Sequence, residues 1–284
     1  ALRALARVLA TTTHTAFNEV ASGANGVGLA RVGVMPSEGG RSAAQILAQP
    51  SKALLTYHAG SQDTLRSKAY DDARSSAEFH VYIGAYACNG VKRTAHALLP
   101  VGLAPEIDGT YVNVDGIAQS VVAGAKLPGD ARSGWRALRA LGAALGLPGF
   151  DFTELNELRE RMADKLAAVV PTSSAMTVTT KQGTGLTRIA TVPIYRSDAV
   201  LRRSPALLAT PLAHPAGIAL NPGDFRSAGL AQGGRGKVSD GKHSVELPAF
   251  ADSGVPVGAV WVELGHSETA ALAPNGAGLT VTRA

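Results

Sequence analysis

Cysteine is nearly missing from this sequence: Cys88 is the single one among 284 residues. An iron–sulfur cluster needs about four thiolate ligands, so this chain cannot hold such a cluster by itself. Cys88 follows an apolar stretch and precedes Asn89 and Gly90. We expect it to be buried as a small hydrophobic residue, with a reactive thiol as the alternative.

Long hydrophobic runs are also missing. Arg, Lys, Asp, Pro or Gly interrupts every apolar stretch before it reaches the ~18 residues that a membrane-spanning helix needs. Aromatic residues make up 5% of the chain and charged residues 17%, but the hydrophobic share of 45% is typical of globular proteins. We therefore expect a soluble or peripheral chain, long enough for two compact domains.

Dense runs of charge and catalytic motifs are absent as well. The 27 Lys and Arg residues are dispersed among 22 acidic residues, which argues against nucleic-acid binding. The seven histidines never stand four residues apart or beside a cysteine pair, which argues against a zinc site. No serine lies in a G-x-S-x-G motif, and His266 and Glu268 are too close in sequence to be read as part of a triad. We expect no catalytic residue and no metal site in this chain.

The first ten residues predict an amphipathic helix, because Leu2, Leu5 and Leu9 recur at helical spacing. The helix carries Arg3 and Arg7, and the chain has no initiator Met. An Arg-bearing amphipathic start resembles a transit peptide, but a piece of a longer protein explains the missing Met equally well. We favour the fragment interpretation.

Residues 1–170 are predicted to form an α/β domain. Helical and apolar segments alternate there, and strands separated by helices of this length pair in parallel. This pattern predicts a Rossmann-like open sheet. The predicted helices are Ser42–Ala48, Ser61–Arg74, Ser133–Leu145 and Thr153–Val169, and the predicted strands are Lys52–Tyr57, Phe79–Ile83 and the AHALLP run that ends at Pro100.

Residues 171–211 are predicted to be a connector, which begins with a Thr-, Ser- and Gly-rich stretch, Pro171–Gly185. Residues 212–284 change to short β segments without matching helices, which predicts a small barrel. Two turns are expected in it, at Asn221–Asp224 and Ser239–Gly241. The predicted strands are Arg235–Ser239, His243–Leu247, Gly258–Leu264 and Gly278–Thr282.

The most suggestive polar set is Asp108, Thr110, Asn113 and Asp115. Two Asp-Gly pairs, at 108–109 and 115–116, predict turns around an alternating TYVNV stretch that suits a small hairpin. Side-chain oxygens and amides at the end of an α/β layer can grip a pterin or a neighbouring loop. Turn stabilisation explains the same residues without a ligand, and we favour it.

Three further features have a functional and a structural interpretation. Gly23–Gly28 (GANGVG) and Gly229–Lys237 (GLAQGGRGK) are glycine-rich, but their spacing fits neither the dinucleotide nor the P-loop pattern, so we interpret them as structural loops. Arg132, Trp135 and Arg139 either form a docking face on a helix or are one buried Trp among solvated arginines.

Several segments, in a consistent order, resemble one protein family. Asp108–Gly116 (DGTYVNVDG), followed by Lys126–Trp135 (KLPGDARSGW), resembles the stretch of molybdopterin-type oxidoreductases in which a DGT-x-x-N-x-x-G turn precedes a helix that opens on Gly-Trp. Gly23–Gly28, Arg188–Pro205 and Gly265–Leu272 (GHSETAAL) are similar to further segments of the large iron–sulfur subunit (G subunit) of bacterial NADH:quinone oxidoreductase, respiratory complex I. The resemblance is to the C-terminal, molybdopterin-oxidoreductase-like portion of that subunit.

This resemblance implies a non-catalytic scaffold that supports electron transfer from NADH to quinone. Iron–sulfur clusters would lie upstream of Ala1 and in partner subunits, and no cofactor would be bound by this chain. The implied partners are the flavin-bearing and quinone-side subunits, on the cytoplasmic side of the bacterial inner membrane. Two alternatives stay open: a fragment of a molybdopterin-binding oxidoreductase, and a stand-alone nucleotide-binding module.

Overall fold

The computed structural model of this chain describes residues 2–18, 20, 23–36, 39–49, 51–60, 67–167 and 184–284. The chain divides into two compact units. The first unit comprises Ala1–His58, Ala77–Ala87 and Lys92–Thr179, and the second comprises Ala59–Ser76, Cys88–Val91 and Thr180–Ala284.

Both units contain helices and strands. The helices are α1 (Leu2–Thr13), α2 (Gly26–Arg31), α3 (Ala43–Ala48), α4 (Ser67–Ser76), α5 (Asn89–Thr94), α6 (Gly134–Ala144), α7 (Leu155–Ala167), α8 (Pro205–Leu208) and α9 (Pro222–Ser227). The strands are β1 (Ala53–Tyr57), β2 (Phe79–Gly84), β3 (Ala97–Pro100), β4 (Gly109–Val112), β5 (Ala118–Val121), β6 (Leu186–Ile189), β7 (Ile218–Leu220), β8 (Arg235–Ser239), β9 (Ser244–Ala251), β10 (Ala259–Val262) and β11 (Gly278–Arg283). No helix in the described part of the chain combines the length and the apolar character that crossing a bilayer requires.

The first unit contains a three-stranded parallel sheet in the order β1-β2-β3. Residues of β1 alternate between exposed and buried positions, with Leu54 and Thr56 buried. His80 of β2 is fully buried, and its Nε2 lies 3.0 Å from the Thr56 hydroxyl, which satisfies the ring. The same face of the sheet carries the buried Tyr82. The opposite face stays partly exposed at Leu55.

An antiparallel hairpin follows, made of β4 and β5. Its turn is closed by Asn113, whose Oδ1 accepts hydrogen bonds from the backbone N–H groups of Asp115 (3.0 Å) and Ile117 (2.9 Å). Gly116 has a φ of 82°, the left-handed region that glycine adopts without strain. The turn predicted at 115–116 is therefore present.

The second unit contains a closed six-stranded barrel in the order β10-β6-β11-β8-β9-β7. Its core is mostly aliphatic, because the buried residues of β7, β9, β10 and β11 are Val, Leu, Ile and Ala. The exception is β6, whose buried residue is Arg188. Ile218, Leu220, Val238, Val260 and Val262 have no measurable exposure. The β8–β9 hairpin turns at Asp240 and Gly241, as the sequence predicts.

The structure departs from the sequence predictions at four places. Asp108-Gly109 is not a turn, because Gly109 already pairs with Val121 at the start of β4. Asn221–Asp224 is not a turn either: Asn221 caps the short helix α9, and Pro222 occupies the first helical position, where its missing N–H costs nothing.

Cys88 is exposed rather than buried, because it stands at the chain segment that enters α5 and not inside the sheet. Leu186–Ile189, within the range predicted to be a connector, is a barrel strand that pairs with β10 and β11. Residues 168–183, which include most of the predicted Thr-, Ser- and Gly-rich stretch, lie outside the described residues.

Candidate functional site

The glycine-rich loop before α2 is held against the β4–β5 hairpin by one side chain. The Oδ1 atom of Asn25 accepts a hydrogen bond from Val112 N (2.8 Å), and its Nδ2 donates to Thr110 O (3.1 Å). Asn25 thus pairs with the backbone of β4 as a neighbouring strand would. A Cβ atom at the buried Gly28 would overlap the Asn25 side-chain oxygen, so glycine is required there. Gly28 of GANGVG therefore serves a tight contact within the protein, whereas a Cβ atom at Gly23 would meet no atom within 4 Å.

Two arginines hold the other parts of the hairpin backbone. Arg31 of α2 donates from Nη1 to Gly116 O at 2.8 Å and to Leu166 O at 2.7 Å. Arg159 of α7 donates from Nη2 to Gly109 O at 3.1 Å, and its Nε donates to the Thr110 hydroxyl at 3.3 Å. Charged donors make stronger hydrogen bonds than neutral ones. The hairpin is therefore fixed between α2 and α7.

The four polar residues singled out in the sequence occupy different parts of this hairpin. Asp108 precedes β4, and its Oδ1 accepts a hydrogen bond from Ala123 N at 2.7 Å. Thr110 lies within β4 and binds Arg159. Asn113 and Asp115 are brought together in the turn. The oxygens of Asp108, Thr110 and Asn113 thus bind groups of the protein itself, an arrangement that shapes the hairpin.

The arginines and the tryptophan singled out around α6 border a groove of about 790 Å³. Trp135 is half-buried; its ring lies 6.0 Å from that of Phe152, and the Arg136 guanidinium lies over it at 4.6 Å. Arg139 donates from Nε to Phe152 O at 2.8 Å. Other lining residues come from the end of β3 and from the segment before α7: Leu99, Pro100, Thr153 and Glu154. The structure thus brings Arg132, Trp135 and Arg139 to one groove.

The main polar feature of the barrel is Arg188, which is 1% exposed. Its guanidinium donates to the backbone carbonyls of Val262 (3.3 Å), Leu272 (3.2 Å), Ala273 (2.6 Å) and Glu263 (3.4 Å). Burial lowers the pKa of Arg188, and the negative charge of Asp240 acts in the opposite direction. An arginine nevertheless keeps its proton in proteins, so a buried positive charge joins β6 to the 262–273 segment.

Asp240 stabilises the same segment from the β8–β9 turn. Its Oδ1 accepts from Lys242 N (2.8 Å) and His243 N (2.7 Å), and its Oδ2 accepts from Ala273 N (2.8 Å). Burial by itself raises the pKa of Asp240, but the backbone N–H donors outweigh burial and hold it below its ordinary value.

The GHSETAAL segment contains a buried histidine, which lies beside a buried carboxylate, Glu263, just before the segment. His266 Nε2 lies 3.3 Å from Glu263 Oε2, and His214 Nδ1 lies 3.4 Å from the same oxygen. The pKa of His266 is lowered, first by burial and then by the positive charge of Arg196, while Glu263 acts in the opposite direction. His266 is therefore neutral at neutral pH. No group of His, Cys, Asp and Glu side chains in the described ranges is arranged to hold a metal ion.

Sequence reasoning missed the residues that hold these segments together. Asn25, Arg159 and Arg188 each act on backbone groups about 50 to 85 positions away in sequence. A local pattern carries no information about such distant partners. Two signals were available for Arg188: its position between Leu186 and Ile189 in a short run of strand-forming residues, and its place at the start of the Arg188–Pro205 segment.

Comparison with known proteins agrees with the resemblance read from the sequence. The sequence model described as molybdopterin oxidoreductase matches residues 2–144. A segment of 110 residues is 34% identical to the mitochondrial NADH dehydrogenase (ubiquinone) iron-sulfur protein 1 of Solanum tuberosum; it covers 39% of this chain and 14% of that protein. A segment of 86 residues is 37% identical to the mitochondrial NADH-ubiquinone oxidoreductase 78 kDa subunit of Neurospora crassa; it covers 30% of this chain and 11% of that protein.

The chain thus spans a small part of the length of these two relatives. Among solved structures, acetylene hydratase from Pelobacter acetylenicus is similar with a TM-score of 0.55, over 84% of this chain and 46% of that chain. The sequence identity is 13%, so this similarity concerns the fold alone.

Proposed function

Because this chain belongs to the molybdopterin oxidoreductase family, we propose that it acts as the C-terminal scaffold portion of the large iron–sulfur subunit of an NADH:quinone oxidoreductase. It would support electron transfer from NADH to quinone without clusters of its own. The observation that carries this proposal is the similarity to two large subunits of that enzyme in a chain with a single cysteine.

The contacts within each unit support a structural role. Arginine side chains are used to bind backbone carbonyls at the hairpin and inside the barrel, and Asn25 and Asp240 bind backbone N–H groups. Such contacts fix loops in one conformation and leave fewer polar groups for a substrate. The three-stranded parallel sheet is, in this proposal, part of a Rossmann-like open sheet of the molybdopterin-oxidoreductase type.

The proposed partners are the flavin-bearing and quinone-side subunits of the peripheral arm. The proposed location is the cytoplasmic side of the bacterial inner membrane, where the chain would be held peripherally by those subunits. The domain limits read from the sequence belong to the same proposal: an α/β domain over 1–170, a connector over 171–211 that also supplies the barrel strand β6, and a barrel-like domain over 212–284.

Affinity capture tests this function. The intact gene product, with any upstream region, is tagged at its C-terminus and recovered from mildly solubilised membranes, and its companions are identified by mass spectrometry. We expect the flavin-bearing and quinone-side subunits in stoichiometric amounts. Recovery of the protein without any other subunit of the complex would contradict the proposal.

A second measurement on the same preparation separates the scaffold from a pterin enzyme, which the family match over residues 2–144 keeps as an alternative. We expect neither molybdenum nor tungsten by elemental analysis and no pterin fluorescence after acid oxidation. A stoichiometric metal and pterin would favour the alternative.

A further inference from the structure

The two edges of the β4–β5 hairpin differ. At the β4 edge, the Asn25 side chain binds Thr110 O and Val112 N, so this edge is occupied. At the β5 edge, in the part of the chain that the structure describes, the hairpin pairs with no third strand. Every residue of β5 is exposed, and the following Val122 is 80% exposed. β5 is therefore an edge strand that presents a row of backbone groups for pairing.

The register of the hairpin determines which backbone groups face the open edge. In an antiparallel pair, a residue turns both its N–H and its C=O either toward the neighbouring strand or away from it, and successive residues alternate. Thr110 and Val112 turn theirs toward Asn25, away from β5. Their register partners, Ser120 and Ala118, therefore turn theirs outward, away from β4. Within the described ranges, no loop or side chain takes up these outward groups.

The open edge lacks the features that commonly keep edge strands apart. Natural edge strands are often protected by lysine, by proline or by a bulge. Residues 116–125 (GIAQSVVAGA) contain no charged residue and no proline, and charges stand only beyond the two ends, at Asp115 and Lys126. Ile117 and Val121 are exposed apolar residues within this segment. A neutral extended segment of this kind is a template for another strand.

We propose that β5 pairs with β5 of a second copy of this chain, antiparallel about a two-fold axis at Ser120. In this register Ser120 of one copy stands opposite Ser120 of the other, and Ala118 stands opposite Val122. Val122 also faces outward, because Ala123 N turns back to Asp108. Each pair joins outward backbone groups, and such a pair exchanges two hydrogen bonds. The two hairpins then form one sheet in the order β4-β5-β5-β4.

Charge and symmetry favour a second copy as the occupant. Antiparallel pairing about Ser120 brings the Asp115 end of one copy to the Lys126 end of the other, whereas parallel pairing would bring like charges together. The segment is thus complementary to itself. Because Asn25 occupies the β4 edge of each copy, the sheet ends there and the contact closes on two chains. The inference does not rest on the proposed electron-transfer role.

Sedimentation velocity of the full chain between about 10 µM and 1 mM tests the self-association. A contact between two strands is smaller than the interface of a stable dimer, so we expect reversible dimers in the upper part of this range.

Three variants locate the contact on β5. Ser120→Pro removes an outward N–H from each copy and leaves the hydrogen bonds to β4 in place, so it should weaken dimerisation at least about tenfold. Val122→Lys adds a charge to the edge and should also weaken it. Val257→Lys, at a barrel valine that is 76% exposed, is the matched control and should change nothing. All three positions are exposed, so circular dichroism should show an intact fold.

Cysteine variants test the register in a Cys88→Ser background. Residues of a hydrogen-bonded pair have Cα atoms about 5.5 Å apart, within the range of a disulfide. Under a mild oxidant, Ser120→Cys should therefore cross-link to a dimer by itself. Ala118→Cys should not, because its two copies lie about 14 Å apart along the sheet. A mixture of Ala118→Cys and Val122→Cys chains should cross-link.

Three results would overturn the proposal. A chain that stays monomeric at about 1 mM would lack even a weak contact of this kind. Dimers that survive both Ser120→Pro and Val122→Lys would use a different surface. Slow maleimide labelling of monomeric Ser120→Cys would show that another part of the chain covers β5. None of these results depends on which subunits are captured from membranes, so the two proposals fail separately.

Discussion

At the scale of single residues, the barrel depends on a buried arginine more than on any local motif. Arg188 is surrounded by backbone carbonyls of a segment more than 70 residues away, and three of the four residues that supply them, Val262, Glu263 and Leu272, are buried. A buried acceptor that loses its donor costs about 1–3 kcal/mol.

We expect Arg188→Met to lower the free energy of barrel unfolding by about 3 kcal/mol or more, since it removes several such donors at once. Urea unfolding monitored by Trp261 fluorescence in a Trp135→Phe background measures this loss for the barrel alone. Arg283→Met, at the exposed end of β11, is the matched control. A loss no larger for Arg188→Met than for the control would mean that the carbonyls find other partners.

The lowered pKa of His266 predicts a pH-dependent stability. The folded barrel keeps this imidazole neutral, whereas the unfolded chain protonates it near its ordinary pKa of about 6.5. The unfolded state therefore binds more protons, and barrel stability should decrease as the pH falls below about 6.5. His266→Gln should flatten this dependence, and His14→Asn, at an exposed position in the first unit, should leave it unchanged. The urea midpoint measured between pH 5 and pH 8 tests both variants.

At the scale of elements, the first unit relies on side chains that bind to strand backbones. Asn25 contributes both a donor and an acceptor to β4, and in the described part of the chain the β4–β5 hairpin pairs with no third strand. Asn25→Ala should destabilise the first unit by about 1–2 kcal/mol. Asn25→Asp retains the acceptor for Val112 N. Its free energy of unfolding should therefore lie between those of the unchanged protein and Asn25→Ala. Hydrogen exchange at the Val112 amide is the direct readout, and unchanged protection in Asn25→Ala would contradict the bridging role.

Most elements with a clear period were predictable from the sequence, and those set by distant pairing were not. The strand Arg235–Ser239 and the helices near 43–48 and 134–144 agree with their predicted ranges, because alternation, capping by Ser42 and helical spacing are local signals. β6 was missed because an inward-facing Arg188 breaks the apolar pattern, and only pairing with β10 and β11 makes this segment a strand. The α9 helix was missed because Pro and Gly were taken as turn residues.

The candidate site was partly predictable. The motif at 108–116 located the hairpin, and Arg132, Trp135 and Arg139 located the groove. The sequence did not identify what holds the hairpin, since Asn25 and Arg159 come from other parts of the chain. Every residue has backbone groups, so a side chain that binds a distant backbone group does not require a particular residue type at its partner's position. The sequence therefore contains no spacing pattern that would reveal such a contact.

At the scale of the whole molecule, the single exposed cysteine sets a limit on redox chemistry. Anaerobic reconstitution of this chain with iron and sulfide should yield no cluster, because one thiolate cannot replace the usual four. Iron and acid-labile sulfide per chain, measured after desalting, should match those of a Cys88→Ser control. A visible absorption band that disappears in Cys88→Ser would instead indicate a cluster shared between chains.

The closed barrel also constrains the order in which this chain folds. β6 is the first barrel strand to leave the ribosome, yet both of its neighbours, β10 and β11, are the last two to be made. At a synthesis rate of about 5–20 residues per second, β10 and β11 are made on the order of ten seconds after β6. During this time β6 has no strand to pair with in the barrel. Closure is therefore a late, long-range event, and slow folding follows from such pairing. A nascent chain arrested before Gly278 would hold an open sheet whose edges attract chaperones or other unfinished chains.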